Sequence, residues 1–359
     1  MRIKPFAAAA LVTATALAFA GCAANEPSAE GGTTGESQTL TAAGASSQKA
    51  AQEKWVADFQ TANPNITVNY SPDGSGAGRS AFTAGAAAFA GSDRPFKDEE
   101  LGAGKFAGCA ADSSALDLPV YISPIAVVFN VDGVTELTLD PTTLAGIFAG
   151  KITKWNDPAI AKTNPKADLP DAAITAVHRA DDSGTTNNFT DTLNKTAPDV
   201  WTEEASDTFP EAFGGEAANG TSGVVQAVSG GKNTIGYADE SQAGDLGKAS
   251  ILVGGKALQP TADAAAAILD ASETIPGRDA NDLAYSLNRT SEGVYPAVLV
   301  SYAIVCQTYK DSATATLVKD YVGYMASAEG QAAAAEAAGS APLSDALQAK
   351  VKTALDSVK

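Results

Sequence analysis

Ala173-Ile174-Thr175-Ala176-Val177, then His178, then Arg179-Ala180-Asp181-Asp182-Ser183-Gly184-Thr185, is the stretch from which the architecture can be read outward. The apolar, β-branched run predicts a strand. Beyond the turn, residues 187–194 carry Phe189 and Leu193 four apart, as one face of a helix would. A polar turn at a strand-to-helix junction holds the first N–H groups of the helix, which have no intrahelical partner, at the positive end of the macrodipole. Ser183, Gly184 and Thr185 can therefore donate together to a small oxyanion, and Arg179 adds a planar, charged fork. The same residues also fit a plainer arrangement, in which Ser183 caps the helix and Arg179 pairs with Asp181 on the surface.

Two further segments have the same character. Asp73-Gly74-Ser75-Gly76-Ala77-Gly78 follows a strand-like run at 66–70, and its glycines let backbone amides approach a neighbour closely. Ser46-Ser47 follows a strand-like run at 39–42 and precedes an amphipathic segment with Ala51, Trp55, Val56 and Phe59 on one face. Strand, serine-bearing turn and helix thus recur three times, which predicts an α/β fold.

Arg179-Ala-Asp-Asp-Ser-Gly-Thr185, Gly91-Ser-Asp-Arg-Pro95, Gly74-Ser75-Gly76 and Gly150-Lys-Ile-Thr-Lys-Trp-Asn-Asp-Pro-Ala-Ile160 resemble, in order and spacing, the phosphate-binding proteins of ABC-type phosphate uptake, the PstS family. The likeness runs from about residue 40 to the C-terminus. It implies a two-lobed periplasmic-binding-protein fold of type 2, closing about a two-crossover hinge on one inorganic phosphate that is delivered to an ABC permease and its ATPase. By the same resemblance Ser46 and Ser47 supply donors from the first turn, Ser75 from the second, and Arg179, Ser183, Gly184 and Thr185 from the third. Asp93 falls where the family places a carboxylate, and Asp181 where it has an acid that orients the arginine. Ser46-Ser47 departs from the threonine and aromatic of many relatives but keeps the amide donors.

A carboxylate inside an anion site needs a physical reason, because like charges repel strongly where water is scarce. The reason is a protonated ligand. Phosphate near neutral pH keeps a P–OH that can donate to ionised Asp93, whereas sulfate has no proton and meets an unmatched acceptor. Such a mismatch costs several kcal/mol, roughly a thousandfold in affinity. The plainer reading of Asp93 is a turn aspartate ahead of Arg94-Pro95.

Arg2 and Lys4 precede an apolar stretch at 6–20, and Ala20-Gly21 stands directly before Cys22, the pattern of a secreted precursor. Cys22 resembles the lipidated cysteine of a bacterial lipobox, which implies a palmitate-type anchor to the outer face of the cell membrane; an ordinary signal peptide with an incidental cysteine fits as well. Cleavage before Cys22 moves the formal charge from −18 to −20. Residues 22–38 read as a flexible polar tether. The expected division is signal peptide 1–21, tether 22–38, first part of lobe 1 at 39–121, lobe 2 at 122–295 and the return to lobe 1 at 296–359.

About 320 residues beyond the tether suffice for two lobes. The acidic balance, 42 Asp+Glu against 24 Lys+Arg, argues against a nucleic-acid surface and leaves a local anion site untouched. In an oxidising compartment Cys109 and Cys306 are either a disulfide closing a loop of nearly 200 residues or two buried thiols. Two distant cysteines and one histidine make no metal-ligand set, so neither metal nor cofactor is expected.

A strand at 120–131 is expected to cross between lobes, with a helix at 142–149, strands at 234–238 and 250–253, an apolar return strand at 296–306, and two long helices at 313–338 and 344–358. Gly146-Ile-Phe-Ala-Gly150-Lys151 is one residue short of a P-loop, and Trp155 reads as packing. His178 lacks the Gly-x-Ser-x-Gly elbow that a serine hydrolase would pair with it. The expected function is a monomeric, lipid-anchored extracytoplasmic phosphate receptor, not an enzyme. A secreted phosphate-ester hydrolase and a surface adhesin or sensor on the same fold are the alternatives.

Overall fold

Three parallel strands, β1 (Gln38–Gly44), β2 (Ile66–Ser71) and β3 (Phe89–Ser92), carry the first serine-bearing turns at their carboxyl ends. β1 alternates exposed and buried residues from Thr39 onward, and Gln38 pairs with Ile66. Gln38 therefore belongs to the strand and not to the tether, because pairing and not composition sets where the chain becomes ordered. This computed structural model describes residues 37–359; the signal segment 1–21, Cys22 and the tether up to residue 36 lie outside the described residues. Helix α1 (Lys49–Ala62) follows β1, burying Ala51, Trp55 and Phe59 while Val56 sits at the edge of that face, and α2 (Ser75–Thr83) follows β2.

The central strand β4 (Ala115–Asn130) is buried at every position but the last, as a strand covered on both faces is. It begins five residues before the expected start. Asp117 and Pro119 mask its opening in the sequence; the Asp117 carboxylate is buried, accepting the Phe96 N–H at 3.2 Å and facing the Arg278 guanidinium at 3.1 Å. Strand β5 (Thr175–Arg179) starts two residues later than 173 and is parallel to both β6 (Glu216–Ala218) and β7 (Thr234–Asp239). Two residues of β8 (Gly247–Lys248) flank β4, and β9 (Val298–Cys306) runs antiparallel to it. The nine-stranded sheet has the order β2-β1-β3-β9-β4-β7-β5-β6, with β8 paired to β4 off this path.

β4 changes partner along its length. Residues Ala115 to Pro124 pair with β9, and Ile125 to Asn130 pair with β7, so one strand passes from one half of a curled sheet into the other. The mixed sheet with helices packed on it is the α/β architecture expected of the chain. Helices α3 (Pro141–Phe148), α4 (Gly184–Thr196) and α5 (Gly220–Gly230) belong with β5 to β7.

The expected single helix at 313–338 is instead two, α6 (Ser312–Ala326) and α7 (Ala328–Ala338), followed by α8 (Asp345–Ser357). Ser327 is extended, with φ −70° and ψ 161°, and its hydroxyl accepts the Gly330 N–H. At Gly330 a Cβ would sit 2.0 Å from the Tyr324 carbonyl, and the Gly330 carbonyl takes the Trp55 indole N–H at 2.6 Å, so the break lets α7 dock on α1. Alanine periodicity hides such a corner. Cys109 and Cys306 form a disulfide with Cα atoms 5.4 Å apart, joining residues 197 apart in sequence. Among the described residues no helix is long and apolar enough to cross a membrane.

Candidate functional site

Parallel strands leave their turns at one end, and ligands of open α/β sheets lie outside the carboxyl ends of the strands. Ser46 and Ser47 form a single 3-10 turn between β1 and α1, Ser75 is the first residue of α2, and Asp93 follows β3 directly. From the other half, Arg179 ends β5, Ser183 is the N-cap of α4, and Gly220-Thr221 opens α5. The structure brings the expected donors and Asp93 into one buried cluster: Ser46, Ser47, Ser75, Asp93, Arg179, Ser183 and Thr185 are each at most 5% exposed, Gly184 is buried with them, and Asp181 is half-buried at their edge.

Contacts cross between the halves. Ser46 Oγ lies 3.0 Å from Thr221 Oγ1 and accepts the Thr221 N–H at 3.1 Å. Thr185 Oγ1 donates to Asp93 Oδ2 at 2.8 Å, and Asn188 Nδ2 donates to the Asp93 carbonyl at 2.6 Å. Gly76 N–H donates to the Asp182 carbonyl at 2.9 Å. A Cβ at Gly76 would come within 2.3 Å of Asp182 Cβ, and one at Gly184 within 2.6 Å of Ser75 Oγ. The glycines of the second and third turns thus admit the facing turn as well as any ligand.

Asp93 is 2% exposed and accepts three hydroxyls: Ser47 at 2.6 Å and Ser301 at 2.7 Å on Oδ1, and Thr185 on Oδ2. Its backbone N–H donates to Ser75 Oγ at 3.1 Å. This is a carboxylate held by hydrogen bonds in a water-poor site, not a surface turn aspartate. Arg179 does pair with Asp181, through Nε at 2.7 Å and through Nη2, but the guanidinium is buried. Burial alone would raise the Asp181 carboxyl; the hydrogen bonds and charge of Arg179, with the Gly220 N–H at 2.9 Å, hold it below the usual carboxylate range. Asp181 thereby fixes the plane of the arginine fork. Ser183 Oγ accepts the Thr186 N–H at 3.1 Å, so it is a cap, and its own hydrogen remains available to a ligand.

Four participants were not legible as site residues. Ser301 sits inside the apolar strand β9, Thr221 and Asn188 look like ordinary helix residues, and Gln242, whose Nε2 donates to the Ser46 carbonyl at 2.8 Å, lies in a short 3-10 turn. A polar residue interrupting a β-branched run was the one signal that could have found Ser301.

The other motifs are structural. His178 stacks on Phe209 with ring centroids 4.3 Å apart, Trp155 is fully buried with its indole N–H on the Asn233 carbonyl, and Lys151 Nζ donates to the Val200 carbonyl. Among the described residues no group of three or more His, Cys, Asp or Glu side chains is placed to hold a metal.

A family profile described as the PBP superfamily domain matches residues 28–329. Phosphate-binding protein PstS 3 of Mycobacterium tuberculosis is 35% identical over 378 aligned positions, covering 100% of this chain and 100% of that protein. Phosphate-binding protein PstS of Xylella fastidiosa is 32% identical, covering 87% of each chain. Among solved structures, a high affinity periplasmic phosphate-binding protein, PfluDING, bound with phosphate, superposes with TM-score 0.68 at 25% identity over 88% of this chain and 93% of that one.

Proposed function

We propose that this chain, which belongs to the PstS family of phosphate-binding proteins within the PBP superfamily, is an extracytoplasmic receptor that closes on one inorganic phosphate and hands it to an ABC permease with its ATPase. The single observation that carries the reading is Asp93, a buried carboxylate set among oxyanion donors. That combination repels a fully ionised ligand and suits one that retains a proton. Ser46, Ser47, Ser75, Ser183, Gly184 and Thr185 supply neutral donors, Arg179 supplies the charge, and Asp181 orients it. Preorganised donors hold the anion without competing for its protons.

The remaining parts of the reading fit this role. Closure would occur about the two chain crossings, near 121/122 and 295/296, with lobe 1 formed by 39–121 and 296–359 and lobe 2 by 122–295. Cys22 would carry the lipid anchor that keeps a monomeric protein at the membrane, with residues 23–36 as its tether. The disulfide suits an oxidising compartment. The chemistry is binding and release, with no bond made or broken.

The test is calorimetric titration of the purified protein, stripped of bound ligand, with phosphate and then sulfate near neutral pH. One-to-one phosphate binding without a sulfate response is the expected result. Equal binding of both makes this a general oxyanion site, and binding of neither overturns the reading.

A further inference from the structure

One of the hydroxyls on Asp93 comes from none of the three binding turns. Ser301 lies on β9 where the register with β4 shifts between Ser301 and Tyr302, opposite Tyr121 and Pro119. Pro119 has no N–H to give to the ladder, and the extra residue, Val120, has its carbonyl satisfied by Gln331 Nε2 at 2.8 Å. Such irregularities redirect side chains, and this one accompanies a serine that reaches the site.

Ser301 ends a run of hydrogen bonds with a single polarity. The Tyr321 hydroxyl donates to Gln52 Oε1 at 2.8 Å, and Gln52 Nε2 donates to Gln48 Oε1 at 2.8 Å. Gln48 Nε2 donates to Ser301 Oγ at 2.6 Å, and Ser301 Oγ donates to Asp93 Oδ1 at 2.7 Å. All five side chains are buried. The polarity is dictated by chemistry: Gln48 Nε2 also lies 3.4 Å from the Tyr302 carbonyl, which only accepts, so the amide nitrogen must face that way. Because the amide donates to Ser301 Oγ, the Ser301 hydrogen points to Asp93.

We propose that Ser301, oriented by Gln48, is a specificity-determining positioning residue that holds Asp93 as an acceptor for a protonated oxyanion. The inference rests on the phosphate-receptor reading. A carboxylate offers roughly four lone-pair sites, and Ser47, Ser301 and Thr185 take three of them. Ser47 and Thr185 belong to the binding turns and can swing their hydrogens to a bound oxyanion. Ser301 stays, its hydroxyl fixing the orientation of the carboxylate and presenting the remaining lone pairs to the ligand, so the ligand must bring the proton.

The experiment compares phosphate and sulfate affinities near neutral pH for the parent protein, Ser301→Ala, Ser301→Thr and Gln48→Met. Ser301→Ala is expected to shrink the phosphate-to-sulfate affinity ratio by about tenfold or more, the effect of one hydrogen bond to a charged group. Gln48→Met shrinks it less, and Ser301→Thr, which keeps the hydroxyl, retains it. A purely structural role would lower both affinities together. An unchanged ratio in a cooperatively folded Ser301→Ala protein overturns the proposal while leaving the receptor reading intact. If Ser301→Ala does not fold, an unchanged ratio in Gln48→Met overturns it. A parent protein that binds no phosphate overturns the receptor reading, and this inference with it.

Discussion

Asp93 and Gly184 meet across the cleft, and each makes a separable demand on binding. Asp93→Asn replaces an acceptor with a group that also donates, so a fully ionised oxyanion no longer faces an unmatched charge. The phosphate-to-sulfate affinity ratio should fall by roughly a hundredfold to a thousandfold, measured by paired titrations; an unchanged ratio would remove Asp93 from discrimination. Gly184 is tested by volume. A methyl there would lie 2.6 Å from Ser75 Oγ and 2.8 Å from Asp93 Cβ, both on the facing half. Separation of the two halves would relieve that clash, and alanine is a better helix former than glycine by about 1 kcal/mol. Gly184→Ala is therefore expected to weaken phosphate binding at least tenfold while the melting of the unliganded protein stays the same or rises; equal affinity would show that the turns need not approach this closely.

The strand β7 ends where β4 changes partners, at the pair Ile125 and Asp239. Asp239 is fully buried: the Tyr121 hydroxyl donates to Oδ1 at 3.1 Å, as do the Ser241 N–H and hydroxyl, while Oδ2 has no partner. Burial pushes its carboxyl up to about 7, against the hydrogen bonds of Ser241 and Tyr121, with the charge of Asp93 adding to the rise. A raised carboxyl means that the folded chain keeps a proton the unfolded chain has lost. Stability contributed by this group therefore falls as pH rises from about 4 to about 7 and levels off above. Asp239→Asn removes that slope, gaining up to about 4 kcal/mol relative to the parent by neutral pH. Urea unfolding of both proteins from pH 4 to pH 8 checks it; parallel curves would mean that Asp239 ionises in place without penalty. The break at Ser327 belongs to the same level of organisation: a serine cap and a close glycine turn one alanine-rich segment into two helices that pack on different neighbours.

The disulfide and the sheet tie distant parts of the chain into one body. Cys306 ends β9 and Cys109 lies 197 residues earlier, so the bond closes a long loop around nearly everything between them. Loop closure of this length stabilises by about 2–5 kcal/mol, mainly by restricting the unfolded chain. Replacing both cysteines with serine should lower the melting temperature by roughly 10 °C and leave phosphate affinity within a few-fold, since neither residue reaches the site. A matching drop in affinity would show that the bond also holds the turns in place.

Much of the site was legible because its chemistry is local. Ser46-Ser47, Gly74-Ser75-Gly76 and Arg179 to Thr185 announce strand, turn and helix through short-range patterns, and the arginine, hydroxyls and glycine name the ligand class. Those patterns placed the strand Ser250–Val253 at its observed bounds and β5 within two residues. What could not be read depends on pairing between segments far apart. The start of β4 at Ala115 is set by its register with Cys306, the corner at Ser327 by docking of α7 on α1, and the role of Ser301 by a register shift on β4 that turns a strand serine toward Asp93. Residue type and spacing carry the chemistry of a turn, because the turn's own backbone supplies the donors; which remote side chain completes it is a matter of register and packing, and these exist only once the chain has folded.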